Sequence, residues 1–258
     1  MRIYSFLSKS PFPIMLSMSA FLTMMSFIIF MKSMMSYLLL LNFLLLLFII
    51  FLWGNSVLSE YLYLGFYDLN FYKCVKMGML FFIFSEIMFF MSFFSSFLFF
   101  SLTQKLEFGL KWFCLEEFKV NFMSIPMLNT LILLYSGFIL TLAHMKIILM
   151  KKSNKILIFL TLLLGFLFLL LQLYEYKESV FCLNDSVFGN CFFLYTSFHG
   201  FHVLIGFSLL FISFLFSMKM FFSNKKLVYF EMSAWYWHFV DVVWLFLFFL
   251  LYTWNMTF

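Results

Sequence analysis

Seven apolar runs, separated by short stretches that carry nearly all the charge, leave this chain few ways to fold. They lie near residues 12–31, 36–59, 77–103, 125–145, 156–174, 187–218 and 228–255. An α-helix of ~20 residues, rising 1.5 Å per residue, crosses the ~30 Å hydrocarbon core of a bilayer. In oil the backbone must satisfy its own N–H and C=O groups, which only helices and closed barrels do. Barrel strands would be much shorter and would alternate in polarity, and these runs do not alternate. The expected fold is all-α: a polytopic membrane protein with seven transmembrane helices.

Composition excludes the alternatives. Of 258 residues, 66% are hydrophobic and 10% charged, against ~25% charged in an average soluble domain. A soluble domain could not hide that much apolar surface. Disorder requires a polar chain poor in aromatic residues, and this one has 46 Phe. The four cysteines, Cys74, Cys114, Cys182 and Cys191, are too few for a disulfide scaffold and form no CxxC pair. Cys182 and Cys191 share one loop and could pair in an oxidising space; free thiols are the other reading. Walker, GxGxxG, HExxH and nucleophile-elbow motifs are absent, as are internal repeats. The net charge of +5 is spread over short loops and reads as topology bias, not as a nucleic-acid footprint.

Of 16 basic residues only Arg2 is arginine. A chain so poor in Arg and so rich in Phe, Met, Leu and Ser points to an A/T-rich genome, and a mitochondrial one is the first expectation. No cleavable leader is evident after Arg2 and Lys9. With the N-terminal tail and the second, fourth and sixth loops on one side, that side holds eleven basic residues: Arg2, Lys9, Lys73, Lys76, Lys146, Lys151, Lys152, Lys155, Lys219, Lys225 and Lys226. The other side holds Lys32, Lys105, Lys111, Lys119 and Lys177. The positive-inside rule then places the N-terminus on the side of synthesis and the C-terminus opposite. Trp53, Trp112, Trp235 and Trp254 fall near span ends, as an aromatic belt requires.

Three groups inside the spans could carry chemistry. Glu86, in SEIMFF, lies about nine residues into the third span, ~14 Å deep at helical rise. A carboxylate there must keep its proton or find a buried partner, so it reads either as a proton-exchanging or headgroup-anchoring site or as an interhelical packing bond. Ser85, Ser92 and Ser96 add a small-residue stripe for close helix contact. His238 and Asp241, three apart, share one face of the last span with Glu231 and Ala234, and read as an oriented imidazole or as a polar packing face. His199 and His202, in FHGFH, are also three apart. They read as metal or haem ligands, with His144 and His238 as possible partners, or as a packed polar face. No cysteine or carboxylate sits close in sequence to complete a metal set, and the packed face is favoured.

Receptor and transporter readings fit less well. Residues 227–258 lack the lysine a retinal protein needs, and the spans lack the paired Gly/Pro breaks of transporters. A standalone transporter or proton channel using Glu86 and Asp241 stays open as the alternative. A haem carrier using the four histidines is a further rival.

SEIMFF, then LNT and SGF in the fourth span, QLYEY leaving the fifth, FHGFHVLIG in the sixth and EMSAWYWHFVDVVWLFL in the seventh closely resemble the subunit III family of mitochondrial cytochrome c oxidase, from about Trp53 to Trp254. The resemblance implies a non-catalytic core subunit of respiratory complex IV in the mitochondrial inner membrane, N-terminus in the matrix and C-terminus in the intermembrane space. It implies residues 1–60 as a tail with helices I–II, splayed from a five-helix bundle III–VII over 61–258, with phospholipids in the cleft. Haems and coppers are implied in the partner subunits I and II and none in this chain; accessory subunits are further partners. By the same resemblance the chain supports the catalytic subunit and its proton uptake. Glu86 matches the family's buried acid, Trp53 a cleft tryptophan and Lys219 a basic residue at the inner end of span VI. His199, His202, His238 and Asp241 also match family positions. Ser59, Tyr67 and Phe216 stand where the family has Arg, His and Arg. Because Ser and Phe cannot supply arginine's fork for phosphate, lipid phosphate is expected to be held more weakly or elsewhere, by Lys76, Lys219 or Lys225.

Overall fold

The computed structural model describes residues 10–34, 36–59, 69–103, 123–149, 154–218 and 227–254. These form α1 (Phe12–Ser33), α2 (Ser36–Ser59), α3 (Leu69–Leu102), α4 (Ile125–Ile148), α5 (Asn154–Glu178), α6 (Val187–Met218) and α7 (Leu227–Phe248), which ends in a π-helical turn, Phe249–Thr253. All seven helices are long and apolar enough to cross a membrane, and no strand occurs among the described residues. Lys219, Lys225, Lys226, Tyr67, Trp112 and Cys114 lie outside the described residues, as do Arg2, Lys9, Lys105, Lys111, Lys119, Lys151 and Lys152.

Local sequence sets several ends. Pro126 stands in the first turn of α4, where its missing N–H costs no hydrogen bond. Met34 closes α1 in a left-handed conformation, φ 56°, its N–H bonded to the Phe30 carbonyl at 2.8 Å. Two helices run further than apolar content alone suggests. α3 begins at Leu69, not near 77, so Lys73 and Lys76 ride on its first turns. α5 continues to Glu178, which brings Glu175 inside a helix.

The chain separates into two compact units, Met1–Lys73 and Cys74–Phe258. In the first, α1 packs on α2. Ser19 and Ser26, seven residues apart, are buried on α1, and Asn42 Nδ2 of α2 donates to the Leu22 carbonyl at 3.3 Å. Small residues let two helices approach where lipid supplies no hydrophobic drive.

In the second unit α7 is the hub. Three-fifths of its span is buried, against about a tenth of the α3 span. Trp237 is fully buried and touches three neighbours at once. Its Nε1 donates to Ser136 Oγ of α4 at 2.9 Å. Its ring fills the space left by two glycines: a Cβ on Gly165 of α5 would lie 2.6 Å from it, and one on Gly206 of α6 would lie 3.0 Å away. Ser213 of α6 and Ser233 of α7 share a hydrogen bond at 3.1 Å, and Lys155 Nζ of α5 donates to the Met218 carbonyl at the end of α6, 3.4 Å away.

α3 joins α6 and α7 mainly through rings. Phe90 meets Phe239 at 6.2 Å, Phe93 stacks on Tyr195 at 5.0 Å and Phe94 meets Phe246 at 5.9 Å, centroid to centroid. Side chains this large hold the backbones apart and bury much area, with pair geometry adding ~0.5–1.5 kcal/mol each.

Candidate functional site: buried polar pairs of the helix bundle

Three polar clasps along α3 stand ten residues apart, at Lys76, Glu86 and Ser96. Lys76 pairs with Glu231 of α7. Glu86 Oε2 lies 2.9 Å from His202 Nε2 of α6. Ser96 Oγ lies 2.7 Å from the Tyr195 hydroxyl, also of α6. Of the serine stripe, Ser96 alone makes this cross-helix bond; Ser85 and Ser92 are exposed and bond to carbonyls of their own helix, those of Phe82 and Phe89.

The Glu86–His202 pair has a defined proton count. His202 Nδ1 sits 2.7 Å from the Phe198 carbonyl, which only accepts, so Nδ1 carries a hydrogen. Nε2 then either accepts from a protonated Glu86 or, as imidazolium, donates to its carboxylate. In both cases one proton lies between the two side chains. His202 is buried, with Phe90 5.0 Å away at its edge, and about a fifth of the Glu86 side chain remains exposed. A bond of this kind inside a bilayer is worth ~0.6–2 kcal/mol.

His199 and His202 do not converge. His199 turns to α5 and α7, between Phe168 at 5.7 Å and Trp244 at 5.1 Å, and neither ring nitrogen has a protein partner. His238 and Asp241 are neighbours without a hydrogen bond: Nδ1 and Oδ2 are 3.9 Å apart. Asp241 instead is buried against α4, where a Cβ on Gly137 would lie 2.6 Å from Oδ2. His238 is partly exposed, Ala234 is buried, and Trp53 is half-buried on α2. Among the described residues no group of three His, Cys, Asp or Glu side chains converges as a metal would require. Cys182 and Cys191 are free thiols.

Two expectations about phosphate contacts meet particular geometry. Lys76 is engaged by Glu231, so its charge is already matched. Phe216, at an expected arginine position, packs edge-on against Tyr229 at 5.6 Å. Ser59 closes α2, and Tyr67 and Lys219 lie outside the described residues.

One buried pair was not singled out from the sequence as a site. The Tyr252 hydroxyl donates to Glu175 Oε1 at 2.7 Å, joining the π-helical turn after α7 to the end of α5. Both side chains are buried. Gln172, one turn before Glu175, lies beside the pair, and Tyr176 donates to Thr196 Oγ1 of α6 at 2.8 Å. The signal was present in QLYEY: Gln172 and Glu175 are three apart and share a helix face. Ending the span at residue 174 put the acid in a loop and hid it.

With this geometry in place, comparison with known proteins gives a consistent match. The chain matches the family model described as Cytochrome c oxidase subunit III over residues 2–256. It is 40% identical over 253 residues to cytochrome c oxidase subunit 3 of Patiria pectinifera, covering 98% of this chain and 97% of the relative. The same protein of Rhipicephalus sanguineus is 39% identical over 256 residues, covering 97% and 98%. That of Locusta migratoria is 43% identical over 204 residues, covering 79% and 78%.

Proposed function

Since the chain belongs to the cytochrome c oxidase subunit III family, we propose that it acts by packing and lipid retention beside the catalytic subunit. The family is a non-catalytic part of respiratory complex IV, the oxidoreductase that passes electrons from cytochrome c to oxygen. The chain is accordingly a multi-pass inner-membrane protein that assembles with the other oxidase subunits. Subunits I and II, which carry the haems and coppers, and the accessory subunits are the proposed neighbours; the N-terminus faces the matrix and the C-terminus the intermembrane space. Helices I–II, residues 1–60, and the five-helix bundle over 61–258 are proposed as the chain's two units, with Glu86, Trp53 and Lys219 as candidate contacts for phospholipid or protons.

The observation that carries this reading is the division of polar and apolar groups. Several polar side chains of the bundle turn toward one another, as Glu86 does to His202 and Tyr252 to Glu175. The outward surface is left apolar: on α4, Leu128, Leu131, Tyr135, Phe138, Leu142 and Met145 form one exposed row. Such a row suits acyl chains or a neighbouring helix. Glu86 and His202, with one proton between them in the third and sixth helices, are proposed to support proton uptake by fixing the bundle face beside the catalytic subunit.

The test is affinity isolation of tagged chain from inner membranes in mild detergent, followed by lipid analysis. Haem-bearing subunits and tightly held phospholipid travel with it on this reading. A chain that is stable and monodisperse alone, with transport activity in vesicles, would support the standalone transporter instead.

A further inference from the structure

We propose, on the reading that the chain packs beside other oxidase subunits, that the notch formed by His238, Asp241 and Gly137 receives a transmembrane helix of one such subunit, and that a serine or threonine hydroxyl on this helix hydrogen-bonds the His238 imidazole.

His238 stands in the last span, which runs Val228–Thr253. Its ring lies ~15 Å into that span at helical rise, near the middle of a ~30 Å hydrocarbon core. Its side chain is 40% exposed, while that of Asp241 is 8% exposed. The imidazole makes no hydrogen bond among the described residues, and Asp241 Oδ2 stays 3.9 Å away. Asp241 Oδ1 is buried and also unpaired. Beside them α4 presents Gly137, where a Cβ would lie 3.5 Å from His238 Nδ1. Leu134 and Thr141, about one turn to either side of Gly137, are exposed, as are Val242, Leu245 and Phe249 of α7. Thr141 turns its hydroxyl back to the Phe138 carbonyl of its own helix at 2.7 Å. The surface seam between α4 and α7 thus has apolar flanks and an open imidazole at its centre.

An imidazole left against hydrocarbon loses the hydrogen bonds it had in water. Acyl chains cannot replace them, and lipid headgroups lie ~15 Å away at the two membrane surfaces. The backbone of a neighbouring helix is spent on its own hydrogen bonds. A side chain of that helix is what remains at this depth. A hydroxyl suits the notch on three counts. It both donates and accepts, so it matches an imidazole nitrogen in either tautomer. It is small, which lets two helices approach closely where one of them has glycine. It also brings no net charge to mid-bilayer, where an acid or a base would be costly.

Two measurements on the assembled oxidase test this. A high-resolution map of the wild-type complex is expected to show a serine or threonine Oγ of another subunit within ~2.7–3.2 Å of a His238 ring nitrogen. Acyl chains, water alone or a second copy of this chain against the ring overturns the proposal. A wild-type chain that travels with the haem-bearing subunits while its map shows lipid at His238 sinks the docking contact and leaves the subunit reading intact. The second measurement is the rate at which this chain leaves the complex during detergent washing. His238→Leu is expected to raise that rate roughly three- to tenfold, the scale of one interhelical hydrogen bond in lipid. His238→Gln, whose amide can still bond the hydroxyl, is expected to stay within roughly twofold of wild type. Replacing the partner hydroxyl residue by alanine should add little to His238→Leu, because the bond is already gone. Equal rates in wild type and His238→Leu, or full additivity in the double variant, overturn the contact. Should the leucine variant not assemble, the wild-type map decides alone.

Discussion

Trp237 Nε1 and Ser136 Oγ are 2.9 Å apart at the point where α4, α5, α6 and α7 meet. The indole reaches α4 by that bond, and reaches α5 and α6 because Gly165 and Gly206 carry no side chain. One large ring therefore sets three interhelical distances.

The two glycines beside Trp237 should not be equivalent. A Cβ at Gly165 would lie 2.6 Å from Trp237 and one at Gly206 3.0 Å. Gly165→Ala is expected to cost ~1–3 kcal/mol as overpacking, with Gly206→Ala less severe. Gly200, with nothing within 4 Å of its Cβ position, is the control, and Gly200→Ala should be neutral or gain up to ~1 kcal/mol of helix stability. The thermal midpoint for loss of this subunit from the purified complex gives the order.

Asp241 is buried against a glycine, which yields a compensation test. Gly137→Ala places a methyl 2.6 Å from Asp241 Oδ2 and is expected to cost ~1–3 kcal/mol by overpacking. Adding Asp241→Ala removes the obstruction, so the double variant should be less damaged than the sum of the two single variants. Strict additivity in the same thermal assay would show that the contact is not the cause.

Glu86 should tolerate glutamine better than leucine. Because His202 Nδ1 is occupied by the Phe198 carbonyl, Nε2 needs a polar partner on α3. Glu86→Gln provides an amide at that place and should stay within ~1 kcal/mol of wild type, while Glu86→Leu leaves the imidazole unpaired at ~1–3 kcal/mol. Subunit retention after detergent washing separates them.

The two carboxyl-centred clasps at opposite ends of the bundle should differ in strength. Lys76 and Glu231 are partly exposed, so a double-mutant cycle should give a coupling under ~1 kcal/mol that weakens with salt. Glu175 and Tyr252 are both buried. Tyr252→Phe should cost ~1–3 kcal/mol by leaving Glu175 Oε1 without its donor, with little dependence on salt.

The seven spans were legible because length and apolar content alone decide what can cross a bilayer. The reach of α3 to Leu69 and of α5 to Glu178 was not, since hydropathy marks the hydrocarbon boundary and a helix can pass through it. Glu86 was legible as an acid inside a span, but its partner was not: His202 is 116 residues away, and only the packing of α3 on α6 brings the two together. The spacing of His238 and Asp241 correctly placed them side by side, yet spacing could not tell a hydrogen bond from the 3.9 Å separation found. Tyr252 was hidden for a similar reason, because its approach to Glu175 comes through the π-helical turn after α7.

Visible absorption of the intact complex and of this chain separated from it tests the central claim most directly. The account predicts that haem absorbance co-purifies with the assembled complex and stays wholly with the other subunits, leaving this chain colourless. Haem or copper retained by the separated chain, and lost on replacing His199 or His202, would contradict it.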